Sequence, residues 1–391
     1  MEVGGPLAVA AIILIAINLR PGIVAVGPVL PTIISQFGLS HATASLLTAI
    51  PDVLMGILAL PTPWLARRFG RDPVLLLALL LLCLSTMARS FASNTLALLV
   101  STAGVGAGIA ISGTLIAGFI KARFSTRAAM LMGIYATALS FGSTVSAAVS
   151  GPIASNSSNG WRVATGFWSL VCIVAILGWL AVMLSKRKHR ATIAVLSPPH
   201  RLPLGNPTAW LVALFFAFQS FVFYGLLAWI SPMYREAGLS TTASGLLLAS
   251  YTLGFMTGNP VLGWLSKSED RRVWLASCSV LMLLGLIPIA VSPAFAPFIF
   301  VPICAFGLGG AFTLAMTLPL DNAESVGEAD VWNAFVLTVG YLVAAGGPLA
   351  IGALRDLNGD FQPSIWLLVM AAAVMLAVTP FLQPHRRKLA A

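Results

Sequence analysis

Residues 7–34 read LAVAAIILIAINLRPGIVAVGPVLPTII, an apolar run broken by a single charge at Arg20. The run exceeds the roughly 20 residues a helix needs to cross a ~30 Å hydrocarbon core. It has no polar face of the kind a helix on a soluble protein presents to water. A guanidinium does not shed its proton, so Asn18-Leu19-Arg20-Pro21 holds a cation at membrane depth. Such a charge is costly unless it faces a wet cavity or a partner, and that makes it a functional candidate by default. Pro21 removes a backbone donor at the same level, which frees a carbonyl or bends the helix there.

The rest of the chain is of the same kind. Its 391 residues are 58% hydrophobic and only 9% charged, with a mean hydropathy of +0.95. A soluble domain has too few polar residues here to cover its own surface. Apolar stretches of spanning length fall near 7–34, 43–66, 73–92, 95–120, 127–151 and 162–184. A second set falls near 207–231, 242–265, 273–292, 295–318, 332–354 and 363–383. The expected fold is an all-α integral membrane protein with twelve transmembrane helices. It divides into a six-helix bundle at 1–184, a cytoplasmic linker at 185–206 and a second six-helix bundle at 207–391. The first apolar run lacks a basic leader and is too long for a signal peptide, so it reads as the first span.

Charge sets the orientation. With the N-terminus inside, the loops on that side hold 17 Lys and Arg, and the other side holds only Arg89, Arg162, Arg235 and Arg355. This asymmetry places both termini in the cytoplasm, in an inner membrane. It also accounts for the net charge of +10 without nucleic acid. The halves echo each other: Gly38-Leu39-Ser40 returns as Gly238-Leu239-Ser240, and at the same offset of 200 Leu46, Leu47, Ala49, Leu65 and Arg71 meet Leu246, Leu247, Ala249, Leu265 and Arg271. Two parallel six-helix repeats around a midplane site are the plan of many secondary transporters.

Enzyme signatures are missing: there is no H-E-x-x-H, G-x-S-x-G or Walker loop. The four histidines lie apart in expected loops and tails, and the four cysteines, in apolar stretches, form no ligand pair. The chain is therefore read as neither enzyme nor metal protein, with no cofactor. Gly104, Gly106 and Gly108 lie in an apolar span with no strand before them, so they serve helix packing rather than a nucleotide.

The residues then resemble a known family. Leu65-Ala66-Arg67-Arg68-Phe69-Gly70-Arg71 looks like the signature loop of the major facilitator superfamily, with Arg67 where that signature usually has Asp. Asn18-Leu19-Arg20-Pro21, Gly160-Trp161-Arg162, the stretch from Phe223 to Trp229, the stretch from Gly307 to Leu314 and the stretch from Val339 to Ala345 resemble the cyanate and 2-nitroimidazole transporter branch. The resemblance implies alternating access, with Arg67, Arg68, Gly70 and Arg71 as a conformational-switch loop.

The site expected from these residues centres on Arg20 as a clamp for a small anion, whose planar fork suits a carboxylate or a cyanate-like group. Asn18, Gln219, Tyr224, Tyr251 and Tyr341, near the middles of their spans, are the other candidate substrate contacts. Asp52, after Pro51 in the second span, either pairs with Arg20 or carries a coupling proton. The expected function is a monomeric secondary active transporter for a small anionic solute. An efflux carrier for neutral, nitroimidazole-like heteroaromatics, with Arg20 structural, stays open beside it. A channel or a solute-sensing receptor stands further back.

Overall fold

The computed structural model describes residues 5–124, 127–157, 159–186, 202–266, 270–322 and 326–383; most of the linker at 185–206 lies outside them. All regular structure among these residues is helical. The first span is three pieces and a turn: α1 (Gly5–Leu19), α2 (Pro21–Val24), a 3-10 turn at Gly27–Val29 and α3 (Leu30–Phe37). There follow α4 (His41–Leu58), α5 (Thr62–Phe69), α6 (Arg71–Ser90), α7 (Thr95–Arg123), α8 (Ala128–Ser155), α9 (Gly160–Gly166) and α10 (Trp168–Lys186). The second half has α11 (Pro207–Glu236), α12 (Thr241–Leu265), α13 (Arg272–Val291), α14 (Pro297–Asn322), α15 (Val326–Ala344), α16 (Gly346–Asn358) and α17 (Gln362–Val378).

Among the described residues, eleven spans are long and apolar enough to cross a membrane. The eighth of the twelve expected, α12, is long enough at 25 residues, but its polar residues make it less apolar than the rest. The molecule is a multi-pass membrane protein. Besides the first, the second, sixth and eleventh expected spans are broken rather than continuous, the sixth at Phe167. The second ends at Leu58 because Pro61 and Pro63 cannot continue the ladder, and α5 starts afresh between them. The eleventh is split at Ala345, where Pro348 leaves the Ala344 carbonyl without its amide donor. Between α5 and α6 the chain turns through Gly70 at φ 87°, a backbone region open to glycine and disfavoured for other residues.

The break in the first span is held by two neighbours. Pro21 gives the Ile17 carbonyl no donor, and Gly142 of α8 packs directly against that oxygen. One turn on, the Val26 amide bonds to Ile23 instead of Gly22, and the freed Gly22 carbonyl accepts from Arg89 Nη1 at 2.6 Å. Arg89 therefore differs from the sequence expectation: it is 1% exposed, not a loop cation, because the broken helix supplies a buried acceptor. Small residues serve close packing elsewhere too, with Gly106 against Pro51 and Gly108 against the Ala78 carbonyl.

Arg67, Arg68, Arg71, Arg123, Arg271 and Arg272 gather at one end of the bundle, the basic face. Arg67 and Arg68 are exposed there, the latter over the Trp64 ring. In the second half Arg271, the counterpart of Arg71, grips Asp321 through Nε at 2.6 Å and Nη2 at 3.3 Å.

At the opposite face the two halves meet twice, in equivalent places. The α4–α16 crossing sets Gly352 against the His41 carbonyl, with Ser45 Oγ donating to the Pro348 carbonyl at 2.7 Å. The α12–α8 crossing sets Gly151 against the Thr241 carbonyl and Gly245 against the Ala147 carbonyl. A charged latch reinforces the first. Asp356 accepts from the His41 and Ala42 amides at 2.9 and 2.8 Å, capping α4 from across the seam. His41 Nδ1 lies 2.7 Å from the same carboxylate, and Arg355 pairs with Glu236 at 2.9 Å alongside. Asp356→Ala is expected to weaken this closure by about 1–2 kcal/mol. Cysteine labelling of the cavity from the opposite face should then rise about tenfold, with an unchanged labelling rate opposing this role.

Candidate substrate-binding site

Between the halves lies a cavity of about 340 Å³. Its lining comes from the parts of α8, α12 and α14 that lead towards the basic face, and the two crossings close it on the other side. Arg20 sits in its wall because the break at Pro21 ends α1 there. Among the described residues it is the only charged side chain in that lining. Its Nη1 donates to the Tyr224 hydroxyl at 2.8 Å, across the seam between the halves, and its Cζ lies 5.9 Å from that ring's centre. The charge in the cavity wall is therefore a single buried cation, weakly screened in such surroundings.

The wall facing α8 is aromatic. Phe223 and Tyr224 of α11, Phe255 of α12, Phe312 of α14 and Tyr341 of α15 all line the cavity. Ring centres lie 5.0 Å apart for Phe223–Tyr224, 4.4 Å for Phe223–Phe255 and 5.7 Å for Phe255–Phe312. On the other side α8 offers Gly133, Thr137, Ser140 and Ser143, spaced by three or four residues on one helix face. At the end towards the basic face, Thr313 donates to the Asn259 amide oxygen at 2.7 Å.

Of the residues expected at the site, the cavity gathers Arg20, Gln219, Tyr224 and Tyr341. Gln219 is already engaged, its amide donating to the Leu308 carbonyl at 3.1 Å. Asn18 lies outside the lining and accepts from the Cys172 thiol at 3.0 Å, inside the first half. Tyr251 also lies behind the wall: its hydroxyl donates to the Phe223 carbonyl at 3.0 Å, and its ring stacks on Phe223. Asp52 is fully buried, forms no ion pair with Arg20, and neither carboxylate oxygen has a hydrogen-bond partner. It remains within electrostatic reach of that guanidinium. The switch-loop arginines stand at the basic face, away from the cavity lining.

Sequence reasoning missed the three phenylalanines, the Asn259–Thr313 pair and the small face of α8. Asn259-Pro260 inside an apolar span was an available signal, as was the three-and-four spacing of small residues after Gly133. The shared stretches divide by role. Trp161 and Arg162 both donate to Gln36, tying α9 to α3, and Trp229 donates to the Pro348 carbonyl. Gly307 and Gly309 let α14 approach α13 and α12.

Comparison with known proteins gives consistent results. The model of the Major Facilitator Superfamily matches residues 9–348. The cyanate transport protein CynX of Escherichia coli (strain K12) is 32% identical over 352 residues, which is 90% of each chain. A 2-nitroimidazole transporter of the same organism is 28% identical, covering 94% of this chain and 93% of its own. Among solved structures, a bacterial homologue of the human lysosomal transporter Spinster superposes with a TM-score of 0.79 at 20% identity, over 96% of both chains. That likeness speaks for the fold alone.

Proposed function

The chain belongs to the Major Facilitator Superfamily, and from that premise we propose that it moves a small anionic solute across a bacterial inner membrane, with Arg20 as the clamp. The observation that carries the reading is the lone guanidinium in the cavity wall, bonded across the seam to Tyr224. An anion held there touches both halves at once, so its binding is coupled to their relative position. In this reading the bundles at 1–184 and 207–391 rock about the site, and the basic face lies in the cytoplasm by the 17-to-4 distribution of loop cations. In this reading the protein works as a monomer.

Asp52 supplies the coupling. An ionised Asp52 offsets the field of Arg20 and weakens its hold on an anion, whereas a protonated Asp52 leaves the cation uncompensated. Proton and anion then bind in the same direction, which is the logic of symport. Asp52→Asn, permanently neutral, should bind the anion about equally at pH 5.5 and 7.5. It should keep anion–anion exchange in proteoliposomes while losing accumulation driven by a pH gradient. Gradient-driven accumulation that survives in this variant would remove Asp52 from the mechanism.

The name of the 28%-identical relative supports a second reading, export of a neutral nitroimidazole-like compound with Arg20 tying helices together. Counterflow decides between them, with cyanate and 2-nitroimidazole as competing solutes. Trans-stimulation by cyanate supports the anion carrier, and stimulation by 2-nitroimidazole alone supports the second reading.

A further inference from the structure

We propose that the solute is a planar aromatic monoanion, an aryl carboxylate of about ten heavy atoms, lying between the aromatic wall and the small face of α8. The inference rests on the anion reading above and narrows it by size, shape and charge.

Size comes first. A three-atom anion at Arg20 would leave most of the 340 Å³ to solvent, room for about ten waters at their liquid volume. Those waters would meet the faces of Phe223, Phe255 and Phe312, which offer no hydrogen bonds. A wet, apolar space of that size favours an occupant with an apolar body.

Shape is set by the two walls. Rings run in series from Tyr224 through Phe223 and Phe255 to Phe312, with neighbouring centres 4.4–5.7 Å apart. The α8 part of the lining is Gly133, Ala136, Thr137, Leu139, Ser140 and Ser143, small residues apart from Leu139, so that wall projects little. A flat ring can contact both walls, and offset or edge contacts with the phenyl groups favour an aromatic occupant over a puckered one.

Charge sets the last limit. The polar groups towards the far end are already satisfied by the protein. Asn259 Nδ2 donates to the Phe255 carbonyl at 2.8 Å, Thr313 donates to Asn259, and Thr137 donates to the Gly133 carbonyl at 3.0 Å. Among the described residues no second cation lines the cavity to receive a second carboxylate. A ligand therefore carries one negative charge at the Arg20 end, and its remainder is neutral.

The test is isothermal titration of the full-length protein in detergent with benzoate, cyclohexanecarboxylate, benzamide and cyanate. The proposal expects benzoate to bind at least tenfold more tightly than each of the other three. Phe312→Leu, which keeps apolar bulk and removes the ring, should weaken benzoate about tenfold and leave cyclohexanecarboxylate unchanged. Gel filtration confirms that this variant is folded, and Phe255→Leu serves in its place if it is not. Equal affinity for benzoate and cyclohexanecarboxylate overturns the ring while leaving the anion carrier intact. So does tight binding of cyanate alone. Benzamide binding as tightly as benzoate, with Arg20→Gln making no difference, overturns the anion carrier itself. No detectable benzoate binding overturns the proposal.

Discussion

Arg20→Gln should cut the affinity for an anionic solute by about 100-fold. Each charge-assisted hydrogen bond contributes roughly 1.5–3 kcal/mol, and a single such loss spans about 10- to 150-fold in the dissociation constant. Glutamine keeps some hydrogen-bonding capacity towards Tyr224 but removes the formal charge that Arg20 brings to the cavity lining. Arg20→Lys should recover part of the affinity. An ammonium restores the charge but cannot hold the Tyr224 hydroxyl and a carboxylate with one rigid fork. Titration of both variants, after gel filtration to confirm their fold, checks this. Full affinity in a folded Arg20→Gln protein would make the arginine a structural tie.

The largest effect on assembly is expected at Gly142. A side chain there would run into the Ile17 carbonyl, a backbone atom that no rotamer change can move. Gly142→Val should therefore push α8 off α1, lowering the melting temperature by more than 10 °C and abolishing most of the monodisperse protein. Gly142→Ala should do the same to a smaller degree. Gly118→Ala is the control, since nothing lies within 4 Å of its added methyl. Fluorescence-detected gel filtration of the three variants reads the order directly, and a stable Gly142→Val protein would contradict the packing.

Much of the architecture was visible in the chain because bilayer thickness imposes its own period on composition. The spans follow from that constraint, and the gathering of basic residues at one end follows from the separate charge bias of membrane loops. The cation at the cavity was visible for the same reason, since only one charge interrupts residues 7–34. What stayed hidden depends on how helices cross. Phe255 and Phe312 look like ordinary lipid-facing or core residues until α12 and α14 bring them beside Phe223. Arg89 was misplaced because its acceptor exists only where the first helix breaks, 67 residues away in sequence. Tyr251 and Asn18 were put at the cavity because depth in a span says nothing about which way a side chain faces.

The paired crossings at the face away from the basic end have a genetic consequence. Gly151 against Thr241 and Gly352 against His41 stand in corresponding positions of the two halves, and if the halves turn as whole bodies neither seam parts without the other. A bulky replacement at Gly151 should thus be repaired by revertants mapping not only to its own seam, around residues 241–245, but also to the distant twin at 41–45 and 348–352. A collection of suppressors confined to the first cluster would mean that the halves hinge helix by helix, and a collection divided between both would mean that they turn as whole bodies.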